Sequence, residues 1–197
     1  MAKTAKFVRN EVVDKATQLY WKKGFHATSM RNLQDEIDMR PGSIYAAFGN
    51  KDGLFKEALR NYTDMGIAQL QQYQQMHGSP LKALSEFVKA QVIDTQDSAP
   101  NGICMLSKTI AELTDDNQEL IDITRGHLRE IASEFVNLIE KSQELGELDN
   151  KHSAEDLANH LQVQIAGLRT FAKINNDKSL LNRMIENIFI HYPFNGQ

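Results

Sequence analysis

Apolar residues recur along this chain at three- and four-residue steps, the spacing that lines one face of an α-helix. Val8, Val12, Ala16, Leu19 and Tyr20 form the first such stripe. It predicts a helix over residues 5–24, with Gly24 supplying a left-handed stop. Met30, Leu33 and Ile37 mark a second, shorter helix, and Thr28 and Ser29 stand where a hydroxyl can accept from its orphan N–H groups. The pattern breaks at Asp38-Met39-Arg40. Pro41 then opens a third helix at the position where a missing N–H costs nothing. That helix, 41–48, buries Ile44 and Phe48, four residues apart, and leaves Arg40, Gly42, Ser43, Tyr45 and Ala46 pointing outward. Asn50 caps a long fourth helix running to about residue 75, with Leu54, Phe55, Ala58, Leu59 and Tyr62 on its packed face.

The rest of the chain repeats the pattern. Gly78-Ser79-Pro80 is a break, and Pro80 restarts a helix through Leu81, Leu84, Phe87, Val88 and Val92. After a second break at 98–102, a short helix spans 103–113 and a long one 115–147, the latter carrying Ile121, Leu128, Ile131, Phe135 and Leu138. Ser153 caps a helix bearing Leu157, Leu161, Ile165, Leu168 and Phe171, with Ala158, Ala166 and Gly167 among them. A glycine inside a good helix costs ~1 kcal/mol against alanine, so Gly167 implies close approach by another backbone. Leu181, Met184, Ile185, Ile188 and Phe189 define a last helix over 178–191, stopped by Pro193. The expected class is all-α with about nine helices, residues 1–50 forming a three-helix head and 51–197 a helical body.

Composition agrees: Pro and aromatics are scarce, and helix-forming Leu, Ala, Gln, Lys and Glu abound. Overall charge is mildly acidic, −4, but it is unevenly distributed. Residues 1–60 carry 11 Lys+Arg against 7 Asp+Glu, whereas 61–197 carry 11 against 19. A basic head on an acidic body suits a head that meets nucleic acid and a body that does not. One cysteine, Cys104, rules out an intramolecular disulfide and suits a reducing compartment. No stretch approaches the ~20 apolar residues of a membrane helix, and the N-terminus lacks a signal-peptide core. These features predict a soluble, cytoplasmic chain without membrane contact.

The second and third helices have the geometry of a helix-turn-helix, the third being its recognition helix; an ordinary helical hairpin is the alternative on spacing alone. Gly24-Phe25, Thr28-Ser29-Met30-Arg31-Asn32-Leu33, Gly42-Ser43-Ile44-Tyr45-Ala46-Ala47-Phe48 and Asn50-Lys51-Asp52-Gly53-Leu54-Phe55 together resemble the N-terminal DNA-binding domain of the tetracycline-repressor (TetR) family of bacterial transcriptional regulators. The likeness covers residues 9–62. Two departures lie in the turn: Asp38 where that family usually has glycine, and Arg40 where it usually has a capping Ser or Thr. Asp tolerates left-handed backbone, so the turn should survive, with a weaker cap that Pro41 partly offsets.

The resemblance implies a double-stranded DNA operator as partner, a homodimer, and a small-molecule inducer. Thr28, Ser29, Tyr45 and Lys51 would hold phosphates. Arg40, Ser43 and Ala46, over the Gly42 backbone that Pro41 positions, would face base edges, and Arg31 could reach either. Lys3, Lys6 and Arg9 on the buttressing first helix could add nonspecific affinity. The last two long helices would pack against their copies, with Leu161, Gln164, Leu168, Phe171, Met184 and Ile188 at the dimer interface; an internal core is the alternative. Phe87, Cys104, Met105, His127, Phe135, Gln164 and Arg169 are candidate lining of an inducer cavity, and each has an ordinary structural reading as well. Cys104, near a helix start yet flanked by Ile103, Met105 and Leu106, is also a candidate sensor of electrophiles or oxidants.

Other classes find less support. There is no Gly-rich phosphate loop, HExxH, metal-spaced Cys/His cluster, nucleophile motif or paired Glu-x-x-His unit, so no enzyme, metal or cofactor is expected. A DNA-bound structural factor that marks chromosomal sites without an inducer is the remaining alternative to a repressor.

Overall fold

A computed structural model describes residues 2–95, 102–191 and 193–194, with side chains described from Arg9 onward. Among the described residues there are nine α-helices and no strand. They are α1 (Ala2–Lys23), α2 (Met30–Ile37), α3 (Pro41–Phe48), α4 (Lys51–Met76), α5 (Pro80–Lys89), α6 (Met105–Glu112), α7 (Gln118–Glu144), α8 (Ala154–Ala172) and α9 (Lys178–Ile190). A π-helical turn, Ala90–Asp94, continues α5, and a 3-10 turn, Asp115–Asn117, leads into α7. Most of the expected break at 98–102 lies outside the described residues, as do the Val8, Lys3 and Lys6 side chains.

The helices start where polar caps stand. Ser79 Oγ accepts from the Lys82 N–H at 3.0 Å, with Pro80 next to it. Ser153 Oγ accepts from the Asp156 N–H at 3.0 Å, and Asp177 Oδ1 from Ser179 and Leu180 at 2.9 and 3.0 Å. Each satisfies donors that the helix cannot use itself, worth ~1 kcal/mol.

The chain divides into two compact units. The first comprises residues 1–65 with 105–128, the second 66–104 with 129–197. In the first, Ala16, Leu33, Ile44, Leu54, Ala58 and Leu59 are fully buried around an aromatic knot. Phe55 meets the Tyr20 ring at 4.7 Å edge-on and the Phe25 ring at 4.8 Å, and Trp21 meets Tyr62 at 5.0 Å. In the second, Leu84, Val88, Ile139, Leu161, Leu181 and Ile185 are fully buried, with Phe87 edge-on to Phe135 at 5.9 Å.

Candidate nucleic-acid interface

The helix pair is built from its ends inward. At the start of α2, Ser29 Oγ accepts from the Asn32 N–H and Asn32 Oδ1 accepts from the Ser29 N–H, both at 3.1 Å. This reciprocal cap satisfies two backbone donors. α2 ends at Asp38, whose φ of 52° and ψ of 47° place it in the left-handed region, with its N–H donating to the Gln34 carbonyl. Asp38 is the one non-glycine residue with positive φ among the described residues. The acidic side chain thus occupies the backbone state that a glycine would adopt at lower cost. Arg40 then leads into α3 with extended backbone and no side-chain cap, and Pro41 takes the first helical position.

α3 is anchored by Ile44 and Phe48, both buried. Its other side is open. Arg31, Arg40, Pro41, Gly42, Ser43, Tyr45 and Ala46 are all exposed, Tyr45 by 51 %. No atom lies within 4 Å of where a Cβ would stand on Gly42. The face carries two guanidinium groups, two hydroxyls and bare backbone, and α3 itself contains no acidic residue.

The junction to α4 is tight. Asn50 Oδ1 accepts from the Gly53 N–H at 2.8 Å, capping α4 as its sequence suggests. Lys51, in the first turn, lays its ammonium over the Phe25 ring, 4.1 Å from the centroid. Burial lowers its pKa, opposed by the charges of Asp52 and Glu112. Tyr20 donates its hydroxyl to the Lys51 carbonyl at 3.1 Å. Burial, and behind it the Asp52 charge, holds that phenol well above its usual range.

One expectation fails here. Thr28 is fully buried, and its hydroxyl donates to the Gly24 carbonyl at 2.6 Å, so its side chain cannot hold a phosphate. Arg9 is partly engaged within the chain: it pairs with Glu57, donates through Nη1 to the Ala47 carbonyl at 3.1 Å and stacks 4.4 Å over the Phe48 ring. These contacts buttress the end of α3.

Sequence reasoning missed a clasp on α6. Lys108 Nζ donates to the Trp21 and Lys22 carbonyls at 3.1 and 3.0 Å. One turn on, Glu112 accepts from the Phe25 and His26 N–H groups at 3.1 and 2.6 Å. Lys108 thus caps carbonyls at the end of α1, and Glu112 holds the N–H groups of the turn that follows. The pair's only sequence signal is the four-residue spacing, which any solvated helix face also shows.

Comparison with known proteins decides the family. The profile "Bacterial regulatory proteins, tetR family" matches residues 12–58, which contain this interface. The profile "Tetracyclin repressor-like, C-terminal domain" matches residues 80–188, more than half of the chain. The chain belongs to the TetR family. Similar proteins include the HTH-type transcriptional repressor ComR of Escherichia coli K12, 24% identical over 85% of this chain and 80% of ComR. The HTH-type transcriptional repressor DhaR of Mycobacterium sp. GP1 is 23% identical over 96% of this chain and 93% of DhaR. Among solved structures, a cysteine mutant of the TetR-family regulator CifR, complexed with 26bp double-strand operator DNA, superposes with a TM-score of 0.82. It is 24% identical, covering 94% of this chain and 97% of CifR.

The body of this TetR-family chain rearranges the remaining candidates. Met105 and His127 are buried and belong to the first compact unit, whereas Phe87, Cys104, Phe135, Gln164 and Arg169 belong to the second. Phe87 and Phe135 are core aromatics. Cys104 and Gln164 are half-buried, and Arg169 is buried. Leu161, Leu168 and Ile188, expected at a dimer interface, belong to the chain's own core; Gln164, Phe171 and Met184 are half-buried. The side of α8 left open is a different stripe: Val163, Ala166, Gly167 and Thr170, with Ile174 beyond the helix end. Val163 is 69 % and Ile174 83 % exposed. Among the described residues, no helix is long and apolar enough to cross a membrane, and no group of three or more His, Cys, Asp or Glu could hold a metal.

Proposed function

We propose that this chain is a cytoplasmic transcriptional repressor that binds a palindromic operator as a homodimer and is released by a small-molecule inducer. The observation that carries the reading is the exposed, acid-free face of α3, with Ser43, Tyr45 and Ala46 around open Gly42 backbone. It is flanked by Arg31 and Arg40 and held from behind by Ile44, Phe48 and Arg9.

Contacts divide by chemistry. The Ser29 hydroxyl, Tyr45 hydroxyl and Lys51 ammonium hold phosphates and set register, a salt-sensitive and sequence-independent contribution. Ser43, Ala46 and Arg40 meet base edges in the major groove: arginine favours guanine O6/N7, and an alanine methyl rests against a thymine methyl. Pro41 and Gly42 let the start of α3 approach the groove closely. Arg31, on α2, reaches the adjoining backbone. One helix-turn-helix spans too few base pairs to select a genomic site, which favours a symmetric pair of chains. The exposed Val163–Ala166–Gly167–Thr170 stripe supplies a surface for that pairing, and Gly167, with no atom within 4 Å of its Cβ position, leaves room for a partner backbone.

Release demands little energy. A ligand that prefers the non-binding state by ~3 kcal/mol lowers operator occupancy about a hundredfold. The DNA reading is tested by selecting duplexes from a random pool and measuring affinity by fluorescence anisotropy. Selection is expected to yield one two-fold symmetric sequence bound ~10³-fold or more above random duplex at equal salt. Genome-wide mapping then separates a repressor with few promoter sites from a chromosome-marking factor with many dispersed, ligand-insensitive ones.

A further inference from the structure

Arg169 is a buried charge of the second unit with no ion pair among the described residues. It lies in the last turn of α8 and is only 4 % exposed. Its Nε donates to the Gly102 carbonyl at 2.9 Å and its Nη1 to Gln91 Oε1 at 3.2 Å. Nη2 is buried with no acceptor, and Arg169 forms no ion pair among the described residues. A guanidinium stays charged at any physiological pH, and a desolvated cation without a counter-charge is costly. The C-terminal end of α8 offers partial negative charge but no atom that accepts from Nη2.

The other edge of the guanidinium is held in a polar chain. Gln91 sits in the π-helical turn Ala90–Asp94, which packs against α8. Such turns are frequent at functional sites. The Gln91 amide is oriented by donation of its Nε2 to Gln69 Oε1 at 2.8 Å, which aims its oxygen at Arg169 and leaves Nη2 out of the chain of hydrogen bonds. Val92, Ile93 and Leu168 of the same apolar cluster are buried beside these polar groups in sequence.

We infer that Arg169 is the anion-binding residue of the effector site, and that the effector is a small organic oxyanion, a carboxylate or phosphate monoester with an apolar tail. Nη2 donates to the anionic oxygens while the apolar tail lies against the helical core. This deepens the repressor reading and rests on it, naming the charge of the molecule that releases DNA.

The test uses the full chain with hexanoate, hexyl phosphate and neutral hexanamide, reading the melting temperature and affinity for the selected duplex. Hexanoate or hexyl phosphate is expected to raise Tm and weaken duplex binding at least about tenfold, and whichever responds tells carboxylate from phosphate. Hexanamide does neither. Arg169→Met, which keeps the stem and removes the charge, loses the response and melts no lower than wild type without ligand. Equal responses in Arg169→Met and wild type, an equal response to hexanamide, or no response to either anion overturns the proposal. So does a sharp fall in Tm for Arg169→Met that Arg169→Lys restores without any anion response, which marks a structural cap. If Arg169→Met does not fold, the comparison of anion with amide on wild type decides alone. Duplex preference measured without ligand stays separate: its loss sinks the repressor reading, its survival beside a failed anion response sinks only this one.

Discussion

Gly53 sits where α4 begins directly above the end of α3, and a Cβ there would stand 2.0 Å from the Phe48 carbonyl oxygen. Backbone cannot step aside as a side-chain tip can, so Gly53→Ala is expected to cost about 2 kcal/mol or more in urea unfolding. Gly42, with nothing within 4 Å, tolerates alanine with little change in stability, and affinity for DNA is the property that moves. Asp38 gives the opposite sign. Its left-handed backbone costs an ordinary residue about 1–2 kcal/mol, so Asp38→Gly should hold or raise stability and Asp38→Val should lower it by that order. Tyr20 adds a pH signature. Its folded pKa is raised above the unfolded value of 10.0, so the folded chain keeps a proton that the unfolded chain releases. Stability is therefore intact below pH 10 and falls as pH rises beyond it, and Tyr20→Phe removes that alkaline loss. Asp38 was legible in the sequence because left-handed tolerance is a property of the residue itself. Thr28 was not, because its role depends on a carbonyl, that of Gly24, which only the folded turn delivers.

Among the elements, α2, α3 and the start of α4 were legible for a reason of scale: their caps and anchors act within four residues. Ser29, Asn32, Pro41, Ile44, Phe48 and Asn50 all interact over that distance. The supports that hold the pair in place are long-range and invisible to periodicity. Arg9 reaches across 48 residues to Glu57, and Glu112 across 87 to Phe25. Replacing Glu112 with Ala should therefore loosen the turn after α1 by ~1 kcal/mol, measured as faster amide exchange at Phe25 and His26. Lys51 tests how the start of α4 meets DNA. Its pKa is already lowered by burial, and a phosphate would favour the charged form. Proton uptake on binding follows, so affinity should decline with rising pH, starting at a lower pH than a free lysine would allow. Lys51→Ala removes that dependence and reduces the salt slope by about one.

For the whole molecule, sequence periodicity marked the leucine stripe of α8 for an interface, and the structure uses that stripe in the chain's own core. α8 carries two apolar stripes. Leucines 157, 161 and 168 form the larger and serve the chain's own core, while Val163, Ala166 and Gly167 form a smaller stripe that stays exposed. Leucine-rich stripes attract an interface reading, yet the core needs volume and a helix crossing needs small residues. Val163→Glu should leave helicity unchanged and shift the chain from dimer to monomer in sedimentation, with operator affinity falling at least tenfold as paired half-sites become unpaired. Within the basic N-terminal part of the sequence, Arg31 lies on α2, Arg40 just before α3 and Lys51 at the start of α4. The claim beneath all of this is that the exposed face of α3 reads duplex sequence. It is tested most directly by comparing wild type with a Ser43→Ala, Tyr45→Ala double variant on the selected duplex and on random duplex at one salt concentration. A preference of ~10³-fold that collapses toward unity in the variant, with Tm unchanged, is the predicted result. A wild-type chain that binds both duplexes alike, or a variant that keeps the full preference, contradicts it.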